Sequence, residues 1–264
     1  LIAIVDSHAH LDMREFDADR DEVIRRAREG GVEALLCPSE LADPLSLPLV
    51  LELRQDYPWI TAAAGVHPHR AKDLLSSHFD DLKNLARTGM IAAIGEIGID
   101  HHYDFSPVST QAEVFRTQLL LAQELALPVI IHSRNAGKEI VATVQEAGFS
   151  QGGILHCFTE DRETAERMIE LGFLISFSGI LTYRNASGLR EIAAALPLEK
   201  ILVETDSPYL VPQPLRDKKK RNEPLFVFET ARVLAELKGV SLEEVAAVTG
   251  DNYRRLTVKN NAPA

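Results

Sequence analysis

Two cysteines and a single tryptophan in 264 residues leave no material for a disulfide framework. Cys37 and Cys157 stand far apart among apolar neighbours, with neither CxxC spacing nor a zinc-finger pattern, so a reducing compartment fits best. Positive charge is also short: 28 Lys and Arg against 39 Asp and Glu leave a formal charge of −11. Bulk attraction to nucleic acid or an anionic membrane is thereby excluded as the main holding force, and a phosphate-bearing partner needs a local basic patch or bound metal. No apolar run approaches the roughly 18 residues of a membrane span, and Asp6 and His8 arrive before a signal-type apolar stretch is complete. A cytoplasmic protein with no membrane anchor and no obligate protein partner is expected. The phosphate-binding glycine fingerprints are missing too, which removes Walker-type nucleotide hydrolysis. Asp17, Asp19 and Asp21 imitate a calcium loop, but Glu22 and Arg28 stand where its glycine and terminal glutamate belong, and the segment reads as a helix start.

What the chain does have is alternation. Short β-branched-rich runs at 2–5, 32–37, 60–66, 91–94, 128–131, 153–155, 173–177 and 201–203 are separated by charged stretches of helical period. Eight strands followed by helices, with strand ends spaced 22 to 36 residues apart, predict a single (β/α)8 TIM barrel occupying 1–264 as one domain. A doubly wound sheet would share the alternation but calls for an early glycine fingerprint. Thr110 with Glu113 and Ser241 with Glu244 read as capping boxes; the segment after Ser241 reads as an extra C-terminal helix outside the barrel, with 260–264 frayed.

Six of the eight runs finish on His, Glu or Asp, and a parallel barrel brings all strand C-termini to one face. His8 and His10, two apart in an extended segment, point to the same side and suit one metal. Glu96, His132, His156 and Asp206 reach the same mouth and complete a nitrogen and oxygen set for zinc, manganese or magnesium, with Glu96 the candidate to bridge two divalent cations. Asp206 is expected as ligand and proton acceptor, Glu204 as helper or further ligand near the substrate. His67 is assigned to substrate contact and Arg134 to phosphate. The basic run 216–221 leaves the eighth strand beside the mouth, and Tyr103, Phe158 and Tyr209 are candidates for stacking on bases.

These segments resemble, in order, the TatD-type metal-dependent deoxyribonucleases within the amidohydrolase-like barrels. The likeness is carried by Asp6-Ser7-His8-Ala9-His10-Leu11, Gly65-Val66-His67-Pro68, Gly95-Glu96-Ile97-Gly98-Ile99-Asp100, Ile131-His132-Ser133-Arg134, Leu155-His156-Cys157-Phe158, Glu204-Thr205-Asp206-Ser207-Pro208-Tyr209-Leu210 and Arg221-Asn222-Glu223-Pro224. The resemblance implies one cation on His8, His10, Glu96 and Asp206 and another on Glu96, His132 and His156. It also implies 3′-to-5′ exonuclease activity on single-stranded DNA, sometimes RNA, supported by magnesium. Asn135 and His101 depart from the usual pattern, which bears on substrate range rather than metal binding. The same site could instead act on a carbonyl, as in an amide, a lactone or an aminoacyl-nucleic acid ester, and a non-catalytic binding barrel would be expected to lack ligands that are present here.

Overall fold

Each β-branched run forms a strand, and the computed structural model, which describes residues 1–257, lays them out as one parallel sheet in chain order. The strands are β1 (Ile4–Asp6), β2 (Val32–Glu40), β3 (Ile60–Gly65), β4 (Ala93–Asp100), β5 (Val129–Arg134), β6 (Gly153–Leu155), β7 (Phe173–Phe177) and β8 (Ile201–Val203). Between and after them run α1 (Arg20–Glu29), α2 (Ser46–Asp56), α3 (Ser76–Arg87), α4 (Val108–Glu124), α5 (Gly137–Glu146), α6 (Arg162–Glu170), α7 (Ser187–Ala195), α8 (Val227–Lys238) and α9 (Leu242–Thr257). The fraying expected at 260–264 lies outside the described residues.

Local chemistry sets these helices. In α1, Val23, Ile24 and Ala27 are buried together, Asp21 and Glu22 sit at the positive end of the helix dipole and Arg26 and Arg28 at the negative end. Ser241 caps α9 by accepting the Glu244 N–H at 3.1 Å, as its sequence predicts. The expected box at Thr110 does not form, because α4 begins earlier. Extended Pro107 occupies the capping position, its carbonyl accepts the Gln111 N–H (3.0 Å), and Thr110 falls inside the first turn.

The seam between β8 and β1 is closed just beyond the strands themselves. Ser7 N–H donates to the Val203 carbonyl (3.1 Å), Asp206 N–H to that of His8 (2.9 Å) and His10 N–H to that of Ser207 (2.8 Å). The closure therefore fixes the backbone of three candidate site residues. At the opposite end, Val5, Leu36, Ala63, Ala93, Ile130, Ile154, Leu174 and Leu202, one from each strand, cluster with Tyr253 of α9. Asn252 Nδ2 donates to the carbonyls of Leu198 (2.9 Å) and Ile201 (2.8 Å), where β8 starts. The extra C-terminal helix expected outside the barrel is present and closes the strand N-terminal face. An amphipathic period records that one face is buried but not against what.

Strand β4 runs six residues past its predicted end at Ile94, so Glu96 lies within the strand and not at its tip. The ladder with β5 shifts register between Ile94 and Ile97, a bulge around Gly95 and Glu96. Gly98, at φ 142°, shows why glycine recurs here: a Cβ would stand 2.0 Å from the His132 carbonyl oxygen. These glycines let β4 approach β5 closely rather than end the strand.

Candidate metal centre

Glu96 projects from the bulge into the mouth and offers its two oxygens to two different sets of imidazoles. Oε2 faces His8 Nε2 (3.3 Å) and His10 Nε2 (3.6 Å). Oε1 faces His156 Nε2 (2.7 Å), His132 Nδ1 (3.1 Å) and His67 Nε2 (3.2 Å). Asp206 joins the first set, its Oδ1 3.4 Å from His10 Nε2 and 3.9 Å from His8 Nε2. His8 and His10 bring their Nε2 atoms to 3.1 Å of each other. The other five ligands expected from sequence are therefore gathered around Glu96.

The loops are held from below by two amides of α4. Gln118 accepts from Val66 N–H (2.8 Å) and donates to its carbonyl (3.0 Å), fixing the exit of β3 just before His67. Gln111 accepts from Asp100 N–H (2.8 Å) at the end of β4. Buried amides that satisfy both ends of a strand exit leave little freedom to the residues that follow.

Electrostatics match the geometry. Burial pushes the Glu96 carboxyl up, but the charges of His156 and His67 and the bonds from His132 and His156 outweigh it and hold it well below the usual range. Burial likewise raises Asp206, and its bond to His10 and the surrounding imidazoles bring it below its ordinary value. Burial opposes charge on His10, yet Asp206 and Glu96 raise it to about 9. His67 goes the other way: desolvation lowers it to about 4, so it is neutral at pH 7. Its Nδ1 accepts the His69 N–H (3.1 Å), which leaves the ring proton on Nε2 as a donor into the mouth.

Does this set fit divalent cations? Among the described residues, three groups of donor atoms lie within 4.8 Å of one another: His8, His10 and Asp206; His8, Glu96 and His156; and His67, His69 and His132. Buried imidazole nitrogens packed against each other and against shared carboxylates are costly without a cation between them, and the nitrogen and oxygen mixture suits zinc or manganese, or magnesium with added water. The residues present fit the ions.

A family model described as TatD related DNase matches residues 5–257. The chain belongs to the TatD-related DNase family. It is 40% identical over 254 residues to the uncharacterized metal-dependent hydrolase YabD of Bacillus subtilis, covering 96% of this chain and 98% of that one. It is 37% identical over 256 residues to the 3′-5′ ssDNA/RNA exonuclease TatD of Erwinia tasmaniensis, covering 95% and 98%. The structure of YJJV, a TatD homologue from Escherichia coli K12, superposes with a TM-score of 0.89 at 29% identity, each chain fully covered. This TatD-family protein is accordingly a metal-dependent hydrolase with a TIM-barrel fold.

Other expected residues fall less uniformly. Tyr209 stands at the rim, its ring edge-on to His10 at 6.4 Å. The Arg134 guanidinium lies over the Tyr103 ring, 5.0 Å from its centroid. Glu204, expected near the substrate, is fully buried instead: its Oε1 accepts the Cys157 N–H (2.8 Å) and lies 3.4 Å from His156 Nδ1, behind the site. Phe158 is 2% exposed and packs edge-on to Phe177, so it offers no face to a base. In the basic run, Arg221 pairs with Asp19 and Arg216 covers Tyr183, while Lys218, Lys219 and Lys220 stay exposed. Sequence reasoning left Asp100 and His69 without roles. Asp100 Oδ2 bonds His69 Nε2 (2.8 Å) and His132 Nε2 (3.0 Å), a placement foreshadowed only by the acidic end of the Gly95 to Asp100 motif.

Proposed function

We propose that this TatD-family barrel is a phosphodiesterase that removes nucleotides from single-stranded DNA in the 3′-to-5′ direction, with RNA as a second substrate. One observation carries the reading: the two oxygens of Glu96 face separate imidazole sets, the arrangement a carboxylate shared by two cations requires. The name carried by the Erwinia relative supports the substrate class. His8, His10, Glu96 and Asp206 would hold one ion, and Glu96, His132 and His156 the other. Bound there, divalent cations supply Lewis acidity toward a water and toward the phosphate oxygens of an in-line displacement.

The chain's own groups do the rest. Asp206, kept ionised by His10, accepts the proton of the attacking water. Neutral His67 donates from Nε2 to a non-bridging phosphate oxygen, and Arg134 pairs with a neighbouring phosphate. Lys218, Lys219 and Lys220 draw in the rest of the strand against an otherwise acidic surface. The free thiols of Cys37 and Cys157 fit a cytoplasmic setting, and no helix among the described residues is long and apolar enough to cross a membrane.

The test uses metal-stripped protein and single-stranded DNA labelled at its 5′ end, with magnesium, manganese or zinc restored. A ladder shortening from the 3′ end, dependent on metal, is expected. Metal-loaded protein that leaves DNA and RNA intact while hydrolysing an amide, lactone or aminoacyl ester moves the site to carbonyl chemistry.

A further inference from the structure

The mouth carries exposed aromatic rings on two rims, with the imidazole cluster between them. Tyr103 and Phe105, beyond β4, are 43% and 53% exposed and stack with centroids 5.3 Å apart and planes 21° from parallel. Arg134, ending β5, lays its guanidinium over Tyr103. His69 meets both rings edge-on, at 5.3 Å and 4.9 Å, and fills the space between this column and the site. Across the mouth Tyr209, 45% exposed, follows β8 and is steadied by a contact from its hydroxyl to Met13 Sδ (3.3 Å). In a ring of eight strands in chain order, β4 and β8 lie diametrically opposite.

Building on the phosphodiesterase reading, we propose that these rims are two nucleobase-stacking walls. The Tyr103–Phe105 column takes the base on one side of the scissile linkage and Tyr209 the base on the other. The recognised unit is then a dinucleotide step whose two bases are splayed apart across the mouth.

Three arguments converge. Half-exposed rings contribute little to the fold, and aromatic surface grouped beside a polar site marks a contact surface. Every nucleobase has a π-face, so such walls bind without reading sequence, each stacked base contributing about 1–3 kcal/mol. A chain of net charge −11 draws less affinity from phosphate attraction, and stacking supplies binding that does not depend on charge. The walls also select strand type, because bases stacked on one another in a duplex cannot diverge to opposite rims without unpairing.

The test is a cycle of ring removal and base removal in metal-loaded protein. The substrates are the deoxyadenosine dinucleotide and two analogues in which one or the other base is replaced by hydrogen. Phe105→Leu and Tyr209→Leu are each expected to lower kcat/KM on the full dinucleotide about 5- to 100-fold, mainly through KM. Phe105→Tyr and Tyr209→Phe, which keep a ring, are expected to restore it. Each Leu variant should lose almost nothing further on the one analogue that lacks the base facing its wall. Losses that are the same on the full dinucleotide and on both analogues overturn the walls. Wild-type protein that cleaves neither the dinucleotide nor methyl p-nitrophenyl phosphate overturns the phosphodiesterase reading itself, and the walls with it.

Discussion

Glu204 stands directly behind His156, its Oε1 3.4 Å from Nδ1, while the opposite ring nitrogen lies 2.7 Å from Glu96. The arrangement recurs at β5, where Asp100 Oδ2 is 3.0 Å from His132 Nε2 and Nδ1 faces Glu96 at 3.1 Å. Each imidazole is gripped between a central carboxylate and one behind it. A carboxylate behind an imidazole fixes its tautomer and strengthens it as a ligand.

If His156 ligates a cation, Glu204→Gln keeps the volume but loses the charge behind the ring. Affinity for zinc or manganese, titrated against a chelating dye, should fall about 10- to 100-fold. An unchanged dissociation constant would show that Glu204 serves the fold alone.

Asp206 is assigned the proton of the attacking water, and Asp206→Asn keeps its shape while removing that basicity. Turnover of single-stranded DNA should drop about 100- to 10,000-fold, with the far-ultraviolet circular dichroism spectrum unchanged. A metal-loaded variant that retains near-normal kcat removes Asp206 from that role.

Gly98→Ala tests the close approach of β4 and β5. The added methyl would meet the His132 carbonyl at 2.0 Å and impose φ 142° on a residue with a Cβ. Urea denaturation should report a loss of about 3 kcal/mol or more, together with weakened metal binding, because the same strands carry Glu96 and His132. A loss under about 0.5 kcal/mol would mean that the bulge relaxes freely.

Strand runs and the histidines ending them were legible because β-branched clusters mark buried strands and barrel topology sends every strand end to one mouth. The β4 extension was not. The predicted run stops at Ile94, and Gly95 and Gly98 beyond it serve contact with a neighbouring strand that one-dimensional patterning does not contain. Phe158 illustrates a second limit: three residues past a strand, inward and outward positions look alike, and its N–H bond to the Ser176 carbonyl (2.9 Å) helps hold the segment against β7, where the ring packs on Phe177. Asp100 escaped notice because its partners, His69 and His132, lie 31 and 32 residues away in sequence. Residues that act on substrate leave type and spacing in a motif; residues that hold them in place are visible mainly through contacts.

Glu40 gives the last prediction, one of pH. Its carboxylate accepts the N–H groups of Ala42 (2.7 Å) and His67 (2.9 Å), which lower its pKa, as does Arg70. Burial outweighs them, aided by the charge of Glu96, and raises it to about 7 from an ordinary 4.5. The folded state therefore holds this proton more tightly than the unfolded chain. The stabilising contribution is fully present below pH 4.5, declines as the pH rises, and is lost once the pH passes about 7. In metal-free protein the decline between these limits should be about 3 kcal/mol steeper for wild type than for Glu40→Gln, which has no proton to lose. Urea midpoints across that range measure it. Parallel curves for the two proteins would mean that Glu40 is solvated enough to ionise at its ordinary pKa, and that the loop carrying His67 is held by something other than a protonated carboxyl.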